Sequence, residues 1–259
     1  MLKPDWPQLS VQFGAHFGAF STCRTGGVSL APYGDGTAAT GLNPGGFNLG
    51  DHVGDQFEHV LINRALLAQA LPNEPKWLSQ VHGTSVLNFD QHQNSLIADA
   101  CITTQANVVC AVLTADCLPV LFCDAKHGVV GAAHAGWRGL ADGILENTIS
   151  TMQAAGANSE HILAWLGPAI GPSKFEVGEE VRARFVEADA SAALAFKSIE
   201  SHARKYYADI YHLARLRLHR AGVHQISGGH FCTFSEPEKF YSYRRDGVTG
   251  RMTSLIWIK

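Results

Sequence analysis

Residues 108–139 have the sequence VVCAVLTADCLPVLFCDAKHGVVGAAHAGWRG, and they carry the clearest indication of the fold class. It holds three apolar runs, at 108–114, 120–123 and 129–134, that are rich in valine and other strand-forming residues. Continuous apolar runs of this length are typical of strands that are buried on both faces. The sequence therefore predicts strands at the centre of the molecule, with other elements covering both of their faces.

Segments on both sides of this stretch predict further strands and helices. Apolar residues at helical spacing predict helices at 55–71, 140–155, 178–188 and 208–221. Additional strands are predicted at 11–20, 76–81, 84–89, 100–104, 162–166, 223–226 and 254–258. Several predicted strands are adjacent and no regular βαβ alternation is present. The pattern therefore favours a mixed-sheet α/β or α+β domain over a doubly wound parallel sheet.

The segment 25–46 differs in composition from the rest of the chain. It is rich in glycine, proline, alanine and threonine and has no apolar periodicity, which predicts a long surface loop. The segment 47–50 that follows is not linker-like, and no separate core precedes the loop. We therefore expect a single domain over residues 1–259, with a flexible loop at about 25–46.

Composition and charge exclude several classes of protein. The chain of 259 residues is 46% hydrophobic and 17% charged, which is ordinary for a globular protein with a sizeable core. A net charge of -3 and the absence of basic runs longer than two residues argue against nucleic acid or an anionic membrane as a partner. The N-terminal residues lack the apolar region of a secretory signal, and no apolar stretch is long enough to span a bilayer. We expect a cytoplasmic protein without disulfides among its six cysteines.

Three short polar segments at the ends of predicted strands carry the candidate chemistry. They are QVHG at 80–83, TADCLP at 114–119 and HAGWRG at 134–139. Each contributes one metal ligand or nucleophile, and these residues are His82, Cys117 and His134. Three nitrogen or sulfur ligands with a fourth position open form a catalytic zinc site. The same residue types also form a cysteine nucleophile with histidine bases.

The spacing of these residues bears on the choice between site types. The three residues lie far apart in sequence, without the close pair that a structural zinc site usually shows. This spacing favours ligands gathered from different strands and hence a catalytic site. Ordinary polar residues at strand ends, with Cys117 as a buried thiol, explain the pattern equally well on composition alone.

Residues beside the three candidates suggest supporting roles. Asp116 precedes Cys117, and Asp99 lies upstream in an apolar segment. A carboxylate at either position would orient a ligating histidine or act as a general acid or base, although a turn role is commoner. The small residues of the HAGWRG segment allow close approach of the backbone. Arg138 offers a planar fork of donors for an oxyanion such as phosphate.

Ordered motifs along nearly the whole chain resemble those of a known bacterial family. They lie at 21–29, 48–50, 52–55, 63–64, 80–83, 114–119, 134–139, 166–171, 176–178, 232–233, 242–246 and 250–252. The chain resembles proteins first described as polyphenol oxidase or laccase and later as purine nucleoside phosphorylases with adenosine deaminase activity. It departs from the family pattern in a Gly/Ala/Thr-rich insertion after Pro32–Tyr33, which bears on substrate range if the loop borders the pocket.

The resemblance implies a fold, a metal and an activity. It implies a single-domain α/β/β/α fold with mixed sheets, similar to a bacterial toxin deamidase domain with a Cys–His pair. It implies Zn²⁺ held by His82, Cys117 and His134, and copper is a possible alternative occupant. The implied reactions are phosphorolysis of adenosine, inosine and 5′-methylthioadenosine and hydrolytic deamination of adenosine. The implied partners are a purine nucleoside and phosphate, and we expect a monomer or a homodimer.

A mechanism on these residues assigns catalysis to the cluster and its neighbours. The catalytic candidates are His82, Cys117, His134 and Asp116, with Asp116 or Asp99 moving a proton. Phosphorolysis also needs an anion pocket that aims phosphate at the ribose C1′. The candidate substrate-binding residues are Arg24, Asn48, Arg138, Arg244 and Arg245. Without the motif match, the arginines of this set would be interpreted as solvated surface residues.

Three other functions stay open at this point. A copper-dependent polyphenol oxidase is disfavoured, because the chain has three methionines and no His-x-His pair. A hydrolase acting on amides or muropeptide precursors would use Cys117 as nucleophile and His134 as base. A metal-dependent binding protein without catalytic activity is the third alternative.

Overall fold

The computed structural model of the chain describes residues 1–6, 16–34 and 45–259. Its strands, numbered in chain order over these residues, are β1 (Phe17–Ser21), β2 (Thr25–Gly27), β3 (Gly45–Gly46), β4 (Val86–Asn88), β5 (Ala100–Thr103), β6 (Val109–Thr114), β7 (Leu118–Asp124), β8 (Val129–Ala135), β9 (Leu163–Leu166), β10 (Glu176–Gly178), β11 (Phe196–Ser198), β12 (Lys205–Ala208), β13 (Gln225–Gly228) and β14 (Met252–Ile258). Its α-helices, numbered in the same way, are α1 (Phe57–Ala68), α2 (Trp137–Asp142), α3 (Ile144–Ala154), α4 (Glu179–Ala188), α5 (Ile210–Arg220) and α6 (Tyr243–Asp246).

Two sheets form the centre of the fold. The larger has six strands in the order β13-β9-β7-β8-β5-β4. The pair at each edge is parallel, and the inner pairs are antiparallel. The smaller sheet, β1-β14-β6, is antiparallel throughout. The mixed sheet predicted from the adjacent strands is therefore confirmed.

The side chains of strand β7 alternate between two cores, one on each face of the six-stranded sheet. Leu118, Val120 and Phe122 lie in the core between the six-stranded sheet and helices α2 to α5. Leu121 and Cys123 lie in a second core between the two sheets. Successive side chains of a strand point to opposite faces, so one continuous apolar run fills both cores. Full burial of each large apolar side chain contributes about 1.5–3 kcal/mol.

Strand β6 completes the layer order. Its Cys110 and Val112 face the six-stranded sheet, whereas the intervening residues pack in a third core. Helix α1 closes this third core through Leu67. The layers run from helices through the six-stranded and three-stranded sheets to a helix. This order confirms the α/β/β/α fold that the resemblance implied.

The predicted helix at 140–155 is wrong as a continuous element. Helices α2 and α3 meet at Gly143, whose φ of 101° lies in the left-handed region. Such backbone ends a helix and is accessible to glycine at little cost. Leu140 and Ile144 pack in the same core on either side of the break, so the apolar spacing looks continuous.

The strand predicted at 76–81 does not form. Ser79 makes only an isolated bridge to Ile97. Leu78 lies in the core between the sheets, and Trp77 packs against the core beside α1. Side chains directed to two different cores give a strand-like alternation without a hydrogen-bonded ladder.

The loop predicted at about 25–46 is wrong at its two ends. Thr25–Gly27 pairs with Gly45–Gly46 as a small antiparallel ladder. Gly27 is required by packing, because a Cβ there would lie 2.2 Å from Asn63 Oδ1. The glycines at these ends therefore permit close contact, although the composition suggested only flexibility. Residues 28–34 contain no further strand beyond the isolated bridge from Ser29 to Gly46. Positions 35–44 of the prediction lie outside the described residues, as do positions 11–15 of the first predicted strand.

The small antiparallel sheet β10-β12-β11 was not predicted from the sequence. Its strands are short and partly exposed, so their apolar pattern is weak.

All six cysteines lie in the described ranges and are free, as expected for a chain without disulfides. Within residues 1–6, 16–34 and 45–259, no helix combines the length and apolar character needed to cross a bilayer.

Candidate functional site

His82, Cys117 and His134 converge at one end of the six-stranded sheet. One potential ligand atom from each lies within 4.8 Å of the others. Cys117 Sγ is 3.7 Å from His82 Nε2, and the two imidazole rings stand nearly perpendicular with centroids 4.7 Å apart. In a tetrahedral site with Zn–S near ~2.3 Å and Zn–N near ~2.0 Å, sulfur and nitrogen lie roughly 3.5 Å apart. The three side chains therefore fit a tetrahedral metal ion with one position open.

Strand pairing explains why residues distant in sequence meet here. Cys117 lies in the turn between β6 and β7, and Pro119 on β7 is paired with His134 on β8. His82 follows the isolated bridge and has a positive φ of 60°, and Asp116 has a positive φ of 88°. Such backbone costs about 1–3 kcal/mol for these residue types and clusters at functional sites.

Asp99 holds two of the three ligand-bearing segments. Its fully buried carboxylate accepts hydrogen bonds from His134 Nδ1 at 2.8 Å and from the His82 N–H at 2.9 Å. It also accepts from the N–H groups of Val81 and Gly83. Burial alone raises the pKa of Asp99, but the hydrogen bonds from His134 and the two backbone groups outweigh it and lower the pKa. With Nδ1 donating to a carboxylate, Nε2 of His134 is left as the ligand.

The cluster favours a thiolate at Cys117. Burial raises the pKa of the thiol, but the His134 and His82 imidazoles outweigh this effect and lower it to about 6. Burial lowers the pKa of His134, but the charge of Cys117 and the hydrogen bond to Asp99 raise it to about 9. A thiolate is the form that both a metal ion and a nucleophilic reaction require.

Gly136 provides the space for the cluster. A Cβ at this position would lie 3.1 Å from Cys117 Sγ and 2.8 Å from His82 Cδ2. A Cβ at Gly139 would lie 2.7 Å from the carbonyl oxygen of Gly83. Both positions lie in the HAGWRG segment, so the close approach predicted from its small residues is present.

Asp116 ties the Cys117 turn to the C-terminal part of the chain. Its Oδ1 accepts a hydrogen bond from Thr233 Oγ1 at 2.6 Å, and its Oδ2 accepts from the Arg244 N–H at 2.7 Å. These bonds hold helix α6 against the turn that carries Cys117. Its predicted catalytic role stays a prediction, whereas its positioning role follows from these contacts.

Two clefts open beside the cluster and share part of their lining. The shared residues are His82, Ala115, Cys117 and Tyr243. The histidine cleft, of about 380 Å³, is lined in addition by His52, Gln80, His134 and Arg251. The arginine cleft, of about 230 Å³, is lined in addition by Trp137, Arg138, Phe175 and Arg244. A ligand that occupies both clefts therefore passes the three-residue cluster.

Two of the predicted substrate-binding arginines line the arginine cleft. The guanidinium carbon of Arg138 lies 4.5 Å from the centroid of the Trp137 ring. Arg244 Nη1 donates to the carbonyl oxygen of Glu176 at 2.7 Å, and its guanidinium lies over Phe175. These contacts orient both guanidinium groups along the wall of the cleft.

The other three predicted substrate-binding residues have structural contacts instead. Arg24 stacks on Tyr241 and donates to the carbonyl oxygen of Pro237. Arg245 donates to the carbonyl oxygens of Thr233, Phe234 and Phe240 and to the Asp246 carboxylate. The buried Asn48 amide donates to Gly50 and Asp55 and accepts from Gly50 and Arg251. None of the three lines either cleft, and their predicted role in substrate binding stays a prediction.

The cleft linings also include residues that were not predicted as site residues, and three of them are His52, Tyr243 and Arg251. Burial lowers the pKa of the Arg251 guanidinium, opposed by the negative groups Cys117 and Asp116. The sequence contained an indication of these three residues, because all of them lie within motifs that carry the family resemblance. Folding brings these side chains to the cluster. Arg251, for example, lies far from Cys117 in sequence.

Comparison with known proteins agrees with this fold. A family model described as multi-copper polyphenol oxidoreductase laccase matches residues 18–259. Purine nucleoside phosphorylase YfiH of Escherichia coli (strain K12) is 50% identical over 261 residues, covering 100% of this chain and 98% of that protein. Purine nucleoside phosphorylase of Haemophilus influenzae is 48% identical, covering 100% and 99%. The crystal structure of Neisseria meningitidis protein NMB0706 matches with a TM-score of 0.85 and 44% identity, covering 100% and 98%.

The fold and the site together define a class: α/β/β/α proteins with a two-histidine, one-cysteine cluster between two clefts. The chain belongs to the multi-copper polyphenol oxidoreductase laccase family. The family resemblance stated from the motifs is therefore confirmed. The residues of the cluster could hold a metal ion, and the comparisons leave its identity open.

Proposed function

We propose that the protein is a metal-dependent purine nucleoside phosphorylase that also deaminates adenosine. The observation that carries this proposal is the position of the cluster: His82 and Cys117 lie in the wall that two clefts share, and His134 lines one of these clefts. Relatives that cover the whole chain bear the name purine nucleoside phosphorylase. Phosphorolysis brings two ligands together at one bond, and two adjoining clefts suit such a reaction.

The cluster is proposed to bind one zinc ion. A divalent ion there would supply Lewis-acid chemistry, by polarising the substrate or acidifying a water molecule at the open position. His82 and His134 contribute neutral imidazoles, and Cys117 contributes a thiolate. Asp99 keeps the His134 ring in its orientation and is too enclosed by its four hydrogen bonds to reach a substrate.

The arginine cleft is the proposed phosphate site. Arg138 and Arg244 line it and carry planar guanidinium groups, which match the oxygens of a phosphate. In phosphorolysis the bond between ribose C1′ and the purine nitrogen breaks, a bond from C1′ to a phosphate oxygen forms, and the base takes up a proton. Asp116 lines the same cleft beside Cys117 and is the proposed carrier of that proton.

The histidine cleft is the proposed nucleoside site. It is the larger of the two, and Tyr243 forms part of the wall that both clefts share. The Tyr243 side chain is 60% exposed, so its ring face is available for stacking on a purine. The proposed substrates are adenosine, inosine and 5′-methylthioadenosine. Deamination of adenosine would place the purine amino group at the cluster.

The test combines metal analysis with chromatography of reaction products. Purified protein should contain about one zinc per chain in this site, and adenosine should yield adenine only when phosphate is present. Inosine formed without phosphate would add the deaminase activity. Cys117→Ala should abolish both activities, and Cys23→Ala, at a position outside the lining of both clefts, should retain them. Full activity in Cys117→Ala, or no nucleoside turnover by zinc-loaded wild type, would refute the proposal.

A Cys–His hydrolase is the second candidate function. The lowered pKa of Cys117, to about 6, is the observation that favours it, because a thiolate beside an imidazole is an activated nucleophile. Muropeptide precursors and other amides would then be the substrates. Turnover of such a substrate after complete zinc removal, blocked by alkylation of Cys117, would favour this function over the phosphorylase. Copper in the purified protein with oxidation of phenols would favour the polyphenol oxidase.

A further inference from the structure

A second cluster of potential metal ligands lies at the opposite end of β7 from Cys117. Asp124 is the last residue of β7, His127 lies in the turn to β8, and His161 ends the short helix that precedes β9. One potential ligand atom from each lies within 4.8 Å of the others. At about 3.3 Å per strand residue, Asp124 is roughly 23 Å from Cys117 along the strand. The second cluster is therefore separate from the proposed active site.

The carboxylate of Asp124 is buried and held in a defined orientation. Its Oδ1 accepts hydrogen bonds from the N–H groups of Lys126 and His127. Its Oδ2 accepts from the N–H of Asn158 and lies 2.8 Å from His127 Nδ1, and an ion bound by these two atoms would replace the contact between them. Asp124 is fully buried, and one of its carboxylate oxygens lies within 4.8 Å of a ring nitrogen of each histidine. The residues that donate these backbone hydrogen bonds lie in segments that come together at this end of the sheet.

His161 supplies an independent indication of a ligand. Its Nδ1 is buried and has no hydrogen-bond partner among the described residues. A buried polar atom without a partner costs about 1–3 kcal/mol. The His161 and His127 rings lie with centroids 5.4 Å apart and an interplanar angle of 32°. One ring nitrogen of His161 lies within 4.8 Å of the ligand atoms of Asp124 and His127, so an ion bound through Nδ1 would satisfy this buried atom.

We propose that Asp124, His127 and His161 bind a divalent transition-metal ion such as Zn²⁺. Two imidazoles and one carboxylate suit zinc and its neighbours, whereas calcium and magnesium prefer oxygen ligands throughout. The ion links the β7–β8 turn to the segment that precedes β9. Its role is structural, because neither cleft beside Cys117 includes these residues. The inference does not depend on the proposed nucleoside chemistry.

Zinc titration of a variant that lacks the first site tests the inference. Cys117→Ser removes the thiolate ligand, and a chromophoric chelator then reports zinc that remains tightly bound. Wild type should bind about two zinc ions per chain, and Cys117→Ser should retain about one at the second site. Adding His161→Asn or His127→Asn to Cys117→Ser should remove the remaining ion. Zinc should also raise the melting temperature of Cys117→Ser and leave that of the double variants unchanged.

A matched control separates this cluster from another pair of histidines. His219 and His224 are exposed, with their Nδ1 atoms 3.2 Å apart, and such a pair also attracts zinc. His219→Asn in the Cys117→Ser protein should leave the remaining ion in place. Loss of the ion in that control would refute the inference, as would Cys117→Ser that binds no zinc at all. Retention of the ion in both the His161→Asn and the His127→Asn double variants would refute it as well.

Cobalt gives a spectroscopic check that does not rely on activity. Co²⁺ in wild type should show a thiolate-to-metal charge-transfer band from Cys117 together with a second, weaker spectrum. Cys117→Ser should keep only the weaker spectrum, because the second cluster has no sulfur ligand. A Co²⁺ spectrum in Cys117→Ser that survives His161→Asn would contradict the assignment.

Discussion

Asp99 Oδ1 lies 2.8 Å from His134 Nδ1, and the side chains of both residues are almost completely buried. The same carboxylate also accepts from the backbone on both sides of the His82 turn. One buried charge therefore orients one potential metal ligand through its ring and another through its backbone. The two histidines cannot move independently of Asp99.

Asp99→Asn should weaken zinc binding at the His82–Cys117–His134 cluster by about 10–100-fold, the range measured for partners of metal-ligating histidines. The amide keeps the shape of the carboxylate but removes its charge and one acceptor. A competition assay with a chromophoric chelator measures the change. Glu187→Gln, at an exposed position of α4, is the control and should bind zinc as wild type does. Unchanged affinity in Asp99→Asn would contradict the orienting role.

The lowered pKa of Cys117 predicts the pH dependence of its alkylation in zinc-free protein. Only the thiolate reacts, so the rate should rise with pH and reach half its maximum near pH 6, against an ordinary thiol value of 9. His134→Gln removes the imidazole that stabilises the thiolate and should move the midpoint upward. Mass spectrometry of the Cys117 peptide after timed iodoacetamide treatment measures the rate. A midpoint between pH 8 and 9 in wild type would exclude the thiolate–imidazolium pair.

Gly136→Ala should disrupt the cluster more than it destabilises the fold. The added Cβ would lie 3.1 Å from Cys117 Sγ and 2.8 Å from His82 Cδ2, so one of these side chains must shift. We expect zinc affinity to fall at least tenfold, by analogy with the loss of a supporting contact. Gly156→Ala is the control, since its φ of 103° strains an alanine but no atom lies within 4 Å of the new Cβ. It should lower the melting temperature without changing zinc affinity.

The arginines of the 244–245 pair should respond differently to substitution. Arg244 lines the arginine cleft, so Arg244→Ala should raise the KM for phosphate with little change in stability. Arg245 donates to three backbone carbonyl groups, so Arg245→Ala should cost about 2 kcal/mol or more of unfolding free energy. Phosphate-dependent kinetics and thermal unfolding measure the two effects. If Arg245→Ala raised the KM for phosphate and Arg244→Ala lowered only the unfolding free energy, the proposed phosphate site would be excluded.

Arg138→Ala should also raise the KM for phosphate, because its guanidinium lies on the same cleft wall above Trp137. Arg138→Lys keeps the charge but loses the planar fork, so it should restore phosphate binding only in part. The melting temperature should stay close to that of wild type, since Arg138 is exposed. An unchanged KM for phosphate in Arg138→Ala would remove this residue from the phosphate site.

Tyr243→Ala should raise the KM for the nucleoside more than it changes the KM for phosphate. An aromatic pair contributes about 0.5–1.5 kcal/mol beyond area burial, which corresponds to a roughly 2- to 12-fold change in affinity. Tyr243→Phe keeps the ring and should bind nucleoside almost as wild type does. Steady-state kinetics at saturating phosphate measure the effect. An equal increase of the nucleoside KM in Tyr243→Phe and Tyr243→Ala would indicate that the hydroxyl group, and not ring stacking, binds the nucleoside.

The strands and helices with strong apolar periodicity could be predicted from sequence. Runs such as 120–123 and 129–134 are buried on both faces, so their composition alone identifies strands. The helix at 140–155 was predicted as continuous because the break at Gly143 depends on one left-handed residue. The exposed small sheet β10-β12-β11 escaped prediction because its side chains lack a consistent apolar face.

Some features of the candidate site could also be predicted from the sequence, and others could not. His82, Cys117 and His134 were recognised because metal ligands at strand ends are chemically distinctive, and the structure brings all three together. Arg24, Asn48 and Arg245 were selected by residue type, but their hydrogen-bonding groups serve other partners or lie away from the clefts. Residue type indicates what a side chain can bind, whereas only its neighbours determine whether those bonds are already made.

Local composition and apolar periodicity are enough to predict the buried strands and the mixed-sheet class. They place His82, Cys117 and His134 at strand ends, but that these residues meet, and which residues surround them, follows from the tertiary structure. Arg251 reaches the cluster through the pairing of β14 with β6, and Asp99 reaches both histidines through the position of β5 beside β8. Such contacts join residues that are distant in the chain, so they depend on strand order and register, which local sequence patterns do not specify.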